Sequence, residues 1–302
     1  MKYLQLVRYP NLLLIALSQI LIRFGLYTPY HAESALSDFQ FALLILATLT
    51  IAASGNIIND IFDTEIDQIN KPNKRLIGSK ITEKTAYRLF FSFTIIGVGI
   101  GFYLANVIHH PGYVSFFIVI SLLLYLYASS LKSYLIINNL LIAILVAMSL
   151  LIVPIFDLLP AISHYNQMLQ METFMLILPF ALFAFWTNWI REIIKDLLDI
   201  NGDKKGNINS LPILIGRSRT VKIVFLLSAI LVAGIIFYMY EHLYNKKWLM
   251  LYFLVAVLGP LLYFCIKTFD AKSVKRYRLL SNLLKIIMLT GVLAMALYRF
   301  WY

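Results

Sequence analysis

Two short segments of the chain concentrate carboxylates at a spacing suited to metal binding. The chain has 15 aspartates and glutamates among its 302 residues, and eight of them lie in these two segments. In each segment three aspartates follow one another at positions i, i+3 and i+7; they are Asp60, Asp63 and Asp67, then Asp196, Asp199 and Asp203. On a helix this spacing puts three side chains on one face. Each segment therefore predicts an acidic stripe along a helix.

Carboxylates on two facing helices need counter-charge. Asn56 precedes the first stripe by one turn and Glu192 precedes the second, so the polar offsets in the two segments match. Like charges one turn apart repel by roughly 0.2–0.5 kcal/mol even on a solvated helix. Mg²⁺ resolves this repulsion, since it prefers oxygen ligands and combines one or two carboxylates with substrate phosphates. No His or Cys lies near either stripe in the sequence, which argues against zinc.

A single acidic segment is equally well explained as a solvated helix end that forms salt bridges with basic loops. Two segments with the same stripe, in a chain poor in acids, favour a functional metal site. We therefore take all six aspartates as candidate metal-binding and catalytic residues.

Cationic and polar residues around the stripes are candidates for binding a diphosphate. Such a group carries more charge than metal alone neutralises, and Arg binds it as a fork while Lys binds it as a point charge. The candidates are Asn56, Asn59, Lys71, Arg75, Tyr127, Lys132, Arg191 and Lys195. The cations among them have an alternative role, since basic residues also fix the orientation of a membrane protein.

The elements that must position these residues are membrane-spanning helices. Hydrophobic residues make up 61% of the chain and charged residues 14%, against about 45–50% and about 25% in soluble domains. Nine apolar runs are long enough to cross a bilayer, and each can satisfy its backbone in lipid only as a helix. The runs cover residues 11–30, 39–60, 85–107, 112–131, 135–155, 172–190, 221–240, 248–268 and 281–299. This predicts an all-α, polytopic membrane protein forming a single domain over residues 1–302.

The basic residues predict the orientation of the helices. The net charge is +11, and all but four of the 26 lysines and arginines fall on one side if the N-terminus is cytoplasmic. The opposite loops, residues 31–38, 108–112 and 156–171, contain no lysine or arginine. This asymmetry predicts a multi-pass protein of the cell inner membrane with its N-terminus and both acidic segments on the cytoplasmic side. It also explains the basic composition without a nucleic-acid partner.

The two motifs resemble the paired signatures of the UbiA superfamily of intramembrane prenyltransferases. The pattern N-D-x-x-D-x-x-x-D stands at residues 59–67, and D-x-x-D-x-x-x-D stands at residues 196–203. Other segments similar to family landmarks are residues 8–11, residues 70–72 with Arg75, and residues 127–132. Residues 188–196, with residues 202–204 and 211–212, are most similar to the digeranylgeranylglyceryl phosphate synthase branch. Leu76 and Leu198 depart from the expected pattern, which leaves the acceptor open.

The resemblance implies a fold and a reaction. Nine transmembrane helices would surround a central cavity, with Mg²⁺ ions held between the two stripes and bridging the diphosphate of a polyprenyl donor, best interpreted as geranylgeranyl diphosphate. Asp60, Asp63, Asp196 and Asp199 would bind the metal most directly, while Asp67 and Asp203 would lie nearer the rim. Loops 68–80 and 200–212 would cap the site, and the donor tail would enter from membrane lipid. The acceptor would be a small lipid or aromatic molecule.

Two alternatives remain at this point. The first is another enzyme on the same scaffold, such as a prenyltransferase for aromatic acids or quinone precursors, whose donor site would be unchanged. The second is a membrane transporter, which also carries charged residues near helix breaks. The clustering of the acids at one face rather than at mid-membrane argues against a transporter.

Overall fold

The computed structural model describes residues 1–70, 75–135 and 137–300. Within these ranges nine helices are long and apolar enough to cross a membrane. We name them α1 (Tyr9–Tyr27), α2 (Asp38–Phe62), α3 (Glu83–Val107), α4 (Pro111–Ser129), α5 (Ile137–Ala161), α6 (Gln167–Lys205), α7 (Arg217–Leu243), α8 (Lys247–Phe269) and α9 (Val274–Phe300). Each contains or closely overlaps one of the nine predicted runs. The all-α, polytopic fold is therefore confirmed.

Helix α2 ends inside the first acidic segment. It begins with a capping box, in which Ser37 Oγ accepts from the Gln40 N–H and Gln40 Oε1 accepts from the Ser37 N–H. The helix ends at Phe62, and a short helix, Thr64–Asn70, follows after a turn at Asp63. The first stripe therefore crosses a helix break instead of lying on one helix. The Asp67 N–H still donates to the Asp63 carbonyl at 2.8 Å, which keeps these two residues one turn apart.

Helix α6 carries the whole second acidic segment. Its 39 residues span about 58 Å at the usual helical rise, nearly twice the roughly 30 Å of a bilayer core. The predicted loop at residues 200–212 therefore begins later than expected, because the helix continues to Lys205. Gly202, which lies in the predicted loop, is instead helical and buried against the side chain of Asn70. Tertiary packing here outweighs the low helix propensity of glycine.

Small residues bring the first helices close together. A Cβ atom at Gly97 of α3 would meet Thr50 and Ile51 of α2, and one at Gly101 would meet the ring of Phe117 in α4. Small residues at such spacing are how helices pack closely in lipid, where no hydrophobic effect draws them together. In the rest of the bundle α6 packs against α5, α7 and α9, and α9 packs back against α1.

A buried ion pair ties α1, α2 and α5 together at the end opposite the acidic segments. Asp157 is fully buried; its Oδ2 lies 3.3 Å from Nη1 of Arg23, and its Oδ1 accepts from the Leu36 N–H at 2.9 Å. Arg23 also donates to Asp38 Oδ1 at 2.9 Å and stacks over the ring of Phe41 at 4.7 Å. The loop between α1 and α2 is thereby fixed to α5.

This pair gives a prediction for stability. Removing one partner of a buried ion pair leaves an uncompensated charge and costs about 3–5 kcal/mol. We expect Asp157→Leu to lower the midpoint of thermal unfolding in detergent by roughly 5–15 °C. The matched control is Glu241→Gln, an exposed acid at the same end of the bundle, which should leave the midpoint unchanged. Equal midpoints for Asp157→Leu and the wild type would show that the pair does not hold this end together.

Candidate active site

Two cations from distant parts of the chain neutralise the first acidic stripe. Arg8, just before α1, donates from Nη2 to Asp60 Oδ1 at 2.7 Å. Lys132, in the turn between α4 and α5, forms an ion pair with Asp63. The other carboxylate oxygen of Asp63 accepts from Asn59 Nδ2 at 2.9 Å. The N-terminal segment and the α4–α5 turn are thus both fixed at the end of α2.

Arg8 is held in an uncommon backbone conformation. Its φ of 54° and ψ of 52° lie in the left-handed region, which a non-glycine residue adopts only when its surroundings compensate. Asn56 compensates, because its Nδ2 donates to the Val7 carbonyl at 3.0 Å. Burial alone would lower the pKa of the Arg8 guanidinium, but the ion pair and hydrogen bond with Asp60 raise it above its usual value. Asn56, predicted from the sequence to bind the diphosphate, here anchors the segment that carries Arg8.

The second stripe is more deeply buried. Asp196 and Asp203 are buried and Asp199 is half-buried. Asn139, buried in the first turn of α5, donates from Nδ2 to Asp196 Oδ2 at 2.8 Å. This hydrogen bond ties α5 to α6 at the level of the carboxylates and orients Asp196.

Both stripes surround Lys132. Its ammonium group interacts electrostatically with Asp60 of the first stripe and with Asp199 and Asp203 of the second. Burial lowers the pKa of Lys132 to about 8, although the neighbouring carboxylates partly offset this effect. Tyr127, half-buried near the end of α4, interacts electrostatically with acids of α6 and with Arg8. The two acidic segments, 129 residues apart along the chain at Asn70 and Asp199, therefore border one space.

Asn70 connects the two segments directly. Its Nδ2 donates to the Asp199 carbonyl at 3.1 Å, and its Oδ1 accepts from the Gly202 N–H at 2.8 Å. A Cβ atom at Gly202 would collide with the Asn70 amide. Glycine at position 202 therefore permits a close approach of the short helix after α2 to the end of α6.

Two of the predicted diphosphate ligands lie in a separate polar group on α6. Lys195 Nζ is 2.6 Å from Glu192 Oε1, and Arg191 Nη1 is 3.7 Å from the same oxygen. Arg191 and Glu192 are buried, whereas Lys195 is half-buried. In this structure their closest charged neighbour is thus Glu192 rather than an aspartate of either stripe.

The remaining predicted ligands belong to the segment after the first stripe. Arg75 donates from Nε to the Ile77 carbonyl at 2.9 Å, and its guanidinium lies against Gly78. Gly78 has a φ of 78°, a conformation that suits glycine. Arg75 therefore shapes the turn before α3. Lys71 lies outside the described residues.

The chemistry of the acidic residues fits a hard divalent cation. All six candidate ligands are carboxylates, the oxygen donors that Mg²⁺ prefers. Among the residues that the structure describes, no three acidic, His or Cys side chains already converge as a preformed metal cluster. Arg8, Lys132 and Asn139 occupy carboxylate oxygens instead. The residues thus provide suitable ligands together with cations that can exchange partners.

Comparison with known proteins identifies the family. Residues 24–288 match the UbiA prenyltransferase family. The chain belongs to this family. A relative from Methanococcus aeolicus is 36% identical over 238 residues, covering 76% of this chain and 75% of that protein. One from Korarchaeum cryptofilum is 29% identical over 282 residues, covering 91% and 92%. Both are named digeranylgeranylglyceryl phosphate synthase.

Solved structures extend the similarity to the fold. A structure from work on digeranylgeranylglyceryl phosphate synthase in membranes is 25% identical, with a TM-score of 0.66, and the match covers 100% of this chain and 98% of that one. A UbiA homologue from Archaeoglobus fulgidus, bound to GPP and Mg²⁺, is 15% identical with a TM-score of 0.62, covering 98% and 100%. The chain is therefore a multi-span membrane prenyltransferase of the UbiA family, and the transporter alternative is excluded.

Sequence reasoning did not assign roles to three residues that organise the site: Arg8, Asn70 and Asn139. Arg8 and Asn70 lie in segments that resemble family landmarks, but their partners, Asp60 and Gly202, are far away in the chain. The signal for Asn139 was an asparagine pair near the start of an apolar run, since polar residues in spans are seldom without a role.

The contact between Asn70 and Gly202 gives a second prediction. We expect Asn70→Ala and Gly202→Ala each to reduce the rate of prenyl transfer by roughly tenfold to a hundredfold, because each displaces the two acidic segments relative to each other. The double variant should lose less than the product of the two effects, since Asn70→Ala removes the side chain that the new Cβ would meet. Purified variants would be compared by transfer rate and thermal unfolding.

Gly99→Ala is the matched control, because a Cβ atom at Gly99 meets nothing within 4 Å. It should transfer at the wild-type rate. Independent, multiplicative effects of the Asn70 and Gly202 variants would contradict a direct coupling at this contact.

Proposed function

We propose that the chain transfers a geranylgeranyl group from geranylgeranyl diphosphate to the glycerol hydroxyl of geranylgeranylglyceryl phosphate. The observation that carries this proposal is the arrangement of both acidic stripes around Lys132 at one end of the bundle. Relatives named digeranylgeranylglyceryl phosphate synthase match the chain over most of its length, which supports the choice of acceptor.

The six stripe aspartates are the proposed ligands for Mg²⁺: Asp60, Asp63, Asp67, Asp196, Asp199 and Asp203. The bound metal would act as a Lewis acid that stabilises negative charge on the leaving diphosphate. Each stripe supplies several carboxylates within one or two helical turns. The hydrogen bonds of Asn70 with the backbone of Asp199 and Gly202 hold the two stripes together. The related structure from Archaeoglobus fulgidus, which holds GPP and Mg²⁺, supports this assignment.

Arg8 and Lys132 are the proposed main cationic contacts of the donor diphosphate. Both are paired with stripe carboxylates in this structure. With metal bound to the carboxylates, these cations would be available to phosphate oxygens, and their positive charge would stabilise the negative charge that grows on the diphosphate as the C1–O bond breaks. Tyr127, Asn59, Arg75 and Lys71 complete the proposed donor site, with Asn56 acting through the segment that carries Arg8.

The reaction then needs an acceptor held in line and water held out. Breaking the C1–O bond leaves an allylic cation, the acceptor hydroxyl oxygen attacks C1, and a nearby carboxylate accepts the hydroxyl proton. We propose that the segments expected as loops 68–80 and 200–212 limit the access of water, which would otherwise convert the cation to a prenyl alcohol. The donor tail is apolar, so we propose that it lies among the helices and enters from membrane lipid.

The orientation is part of the same proposal. The excess of lysine and arginine on the side of the acidic segments supports a cytoplasmic site and N-terminus, in a chain that we propose lies in the cell inner membrane. A cytoplasmic site would face the compartment that supplies soluble Mg²⁺.

A direct assay tests the acceptor. Purified protein with radiolabelled geranylgeranyl diphosphate and Mg²⁺ would be offered geranylgeranylglyceryl phosphate, or in parallel aromatic acids and quinone precursors. We expect a product carrying two geranylgeranyl groups from the first acceptor only, identified by mass. Transfer to an aromatic acid, with none to the glycerophosphate lipid, would refute the proposed acceptor while keeping the prenyltransferase activity.

Carboxylate variants test the metal site. We expect Asp63→Asn and Asp196→Asn each to reduce transfer by at least about 100-fold, because each removes charge that holds metal and diphosphate together. Chelation with EDTA should abolish transfer in the wild type, and added Mg²⁺ should restore it. The control is Glu65→Gln, an exposed acid in the first segment that lies off the stripe. Full activity of both aspartate variants with a normal thermal midpoint would exclude them as metal ligands.

A further inference from the structure

A group of polar side chains lies on α6 on the N-terminal side of the second stripe. Asn188 is 3% exposed and Arg191 is 9% exposed. Within the described part of the chain, Nδ2 of Asn188 and Nε of Arg191 have no hydrogen-bond partner. A buried donor without an acceptor is unfavourable, and such groups are rare in folded proteins. Two of them on adjacent turns indicate that a bound group supplies the acceptors.

The two hydrogen-bond donors, Asn188 and Arg191, face the same region. Residues three apart on a helix lie on one face, and helical side chains lean toward the N-terminus, so the Arg191 guanidinium extends over the turn that carries Asn188. Both lie on the side of α6 that also carries Glu192 and Asp199, given the helical spacing. Asn188 precedes Asp196 by eight residues, about 12 Å along the helix. These two hydrogen-bonding side chains are therefore deeper in the membrane than the proposed metal ligands of α6.

The charges of this group are unbalanced in favour of cations. Among the described residues, Glu192 is the only acid that forms an ion pair with Arg191 or Lys195. Asp196 also interacts electrostatically with Lys195, but it accepts a hydrogen bond from Asn139 and is a proposed metal ligand. Arg8 also interacts electrostatically with Glu192, but its hydrogen-bonded partner is Asp60. One carboxylate cannot neutralise two cations, and surplus charge in a low-dielectric region is unfavourable unless an anion accompanies it.

We propose that Asn188, Arg191 and Lys195 bind the phosphate head of the acceptor lipid. This inference rests on the proposed function, in which the acceptor is a glycerophosphate lipid. The guanidinium and the ammonium match a phosphate dianion, and the Asn188 amide donates to one of its oxygens or to the adjoining glycerol oxygen. The assignment differs from the sequence expectation, which placed Arg191 and Lys195 on the donor diphosphate.

A separate anion subsite would also explain how the enzyme keeps two similar substrates apart. Donor and acceptor both carry an apolar chain and a phosphate-containing head. The proposed metal ligands bind the diphosphate together with Arg8 and Lys132. The basic group of Asn188, Arg191 and Lys195, which contains no metal ligand and lies deeper on α6 than the second stripe, then receives the single phosphate of the acceptor.

The test separates the two substrates kinetically. Asn188→Ala and Arg191→Met would be compared with the wild type by measuring KM for geranylgeranylglyceryl phosphate and for geranylgeranyl diphosphate independently. We expect KM for the acceptor to rise about tenfold or more, in line with a lost hydrogen bond to a charged group, while KM for the donor is unchanged. Arg191→Lys should recover part of the loss. Lys204→Met, an exposed cation on the same helix, is the control and should alter neither constant.

A second arm uses an acceptor without phosphate. The wild type should strongly prefer geranylgeranylglyceryl phosphate over geranylgeranylglycerol, and Arg191→Met should lose most of this preference. Asn188→Ala removes no charge, so it keeps the test available if Arg191→Met fails to fold.

The possible failures are distinguishable. A rise in KM for the donor alone would overturn this inference and assign the group to the diphosphate, leaving the proposed function intact. Unchanged constants in both variants would show that the group is structural. A wild type that prenylates only an aromatic acid would refute the proposed function, and with it a phosphate subsite.

Discussion

The structure depends on neutralising carboxylates at the edge of a low-dielectric layer. Six aspartates on two helix ends repel one another, and burial strengthens that repulsion because little water is present to screen it. The counter-charges come from elsewhere in the chain, with Arg8 from the N-terminal segment and Lys132 from the α4–α5 turn. The requirement for charge balance therefore fixes the N-terminal segment and the α4–α5 turn at the end of α2, in positions that hydrophobic packing alone would not specify.

The two ends of the bundle solve the problem of buried charge in different ways. At one end Asp157 is fully buried and its carboxylate is held by Arg23 and a backbone N–H, which makes a permanent link between helices. At the other end the side chain of Arg8 remains 38% exposed although it is paired with Asp60. A pair that water can reach contributes little net stability, so the Arg8–Asp60 pair can be exchanged for metal and phosphate at small cost, whereas the Lys132–Asp63 pair is mostly buried. The first end holds the bundle together, while at the second end Arg8 can change partners.

Hydropathy and helical periodicity were sufficient to predict the nine spans and the acidic stripes, because both patterns are local. A run of about 20 apolar residues has few options in lipid other than a helix. The break at Asp63 and the continuation of α6 to Lys205 were not predictable in this way. Both depend on contacts such as that between Asn70 and Gly202, whose partners are distant in sequence. Local propensity favoured a break at Gly202, and packing across the site determined the outcome.

The candidate site shows the same division between local and distant information. The aspartates were recognisable from their spacing, whereas Asn139 gains its role only from the hydrogen bond to Asp196 on another helix. Likewise, the cations Arg191 and Lys195 were visible as charges, but their position relative to Glu192 and Asn188 required coordinates. Residue type indicated which groups could bind phosphate, and only geometry supports a proposal for which phosphate each group binds.

The length of α6 places the second acidic stripe and the polar group of Asn188, Arg191 and Lys195 on one rigid element. One uninterrupted helix carries three of the six proposed metal ligands near its end and the two buried hydrogen-bond donors up to about two turns deeper. If the helix ended near residue 200, where the family resemblance implied a loop, Asp203 would lie on that loop, and its distance from Asn188 would vary with every movement of the loop. On a continuous helix the separation is fixed by backbone hydrogen bonds, so the two proposed binding positions along one face are held at a constant distance. For a reaction in which a short-lived cation must meet a hydroxyl before water does, such rigidity is worth more than additional contacts.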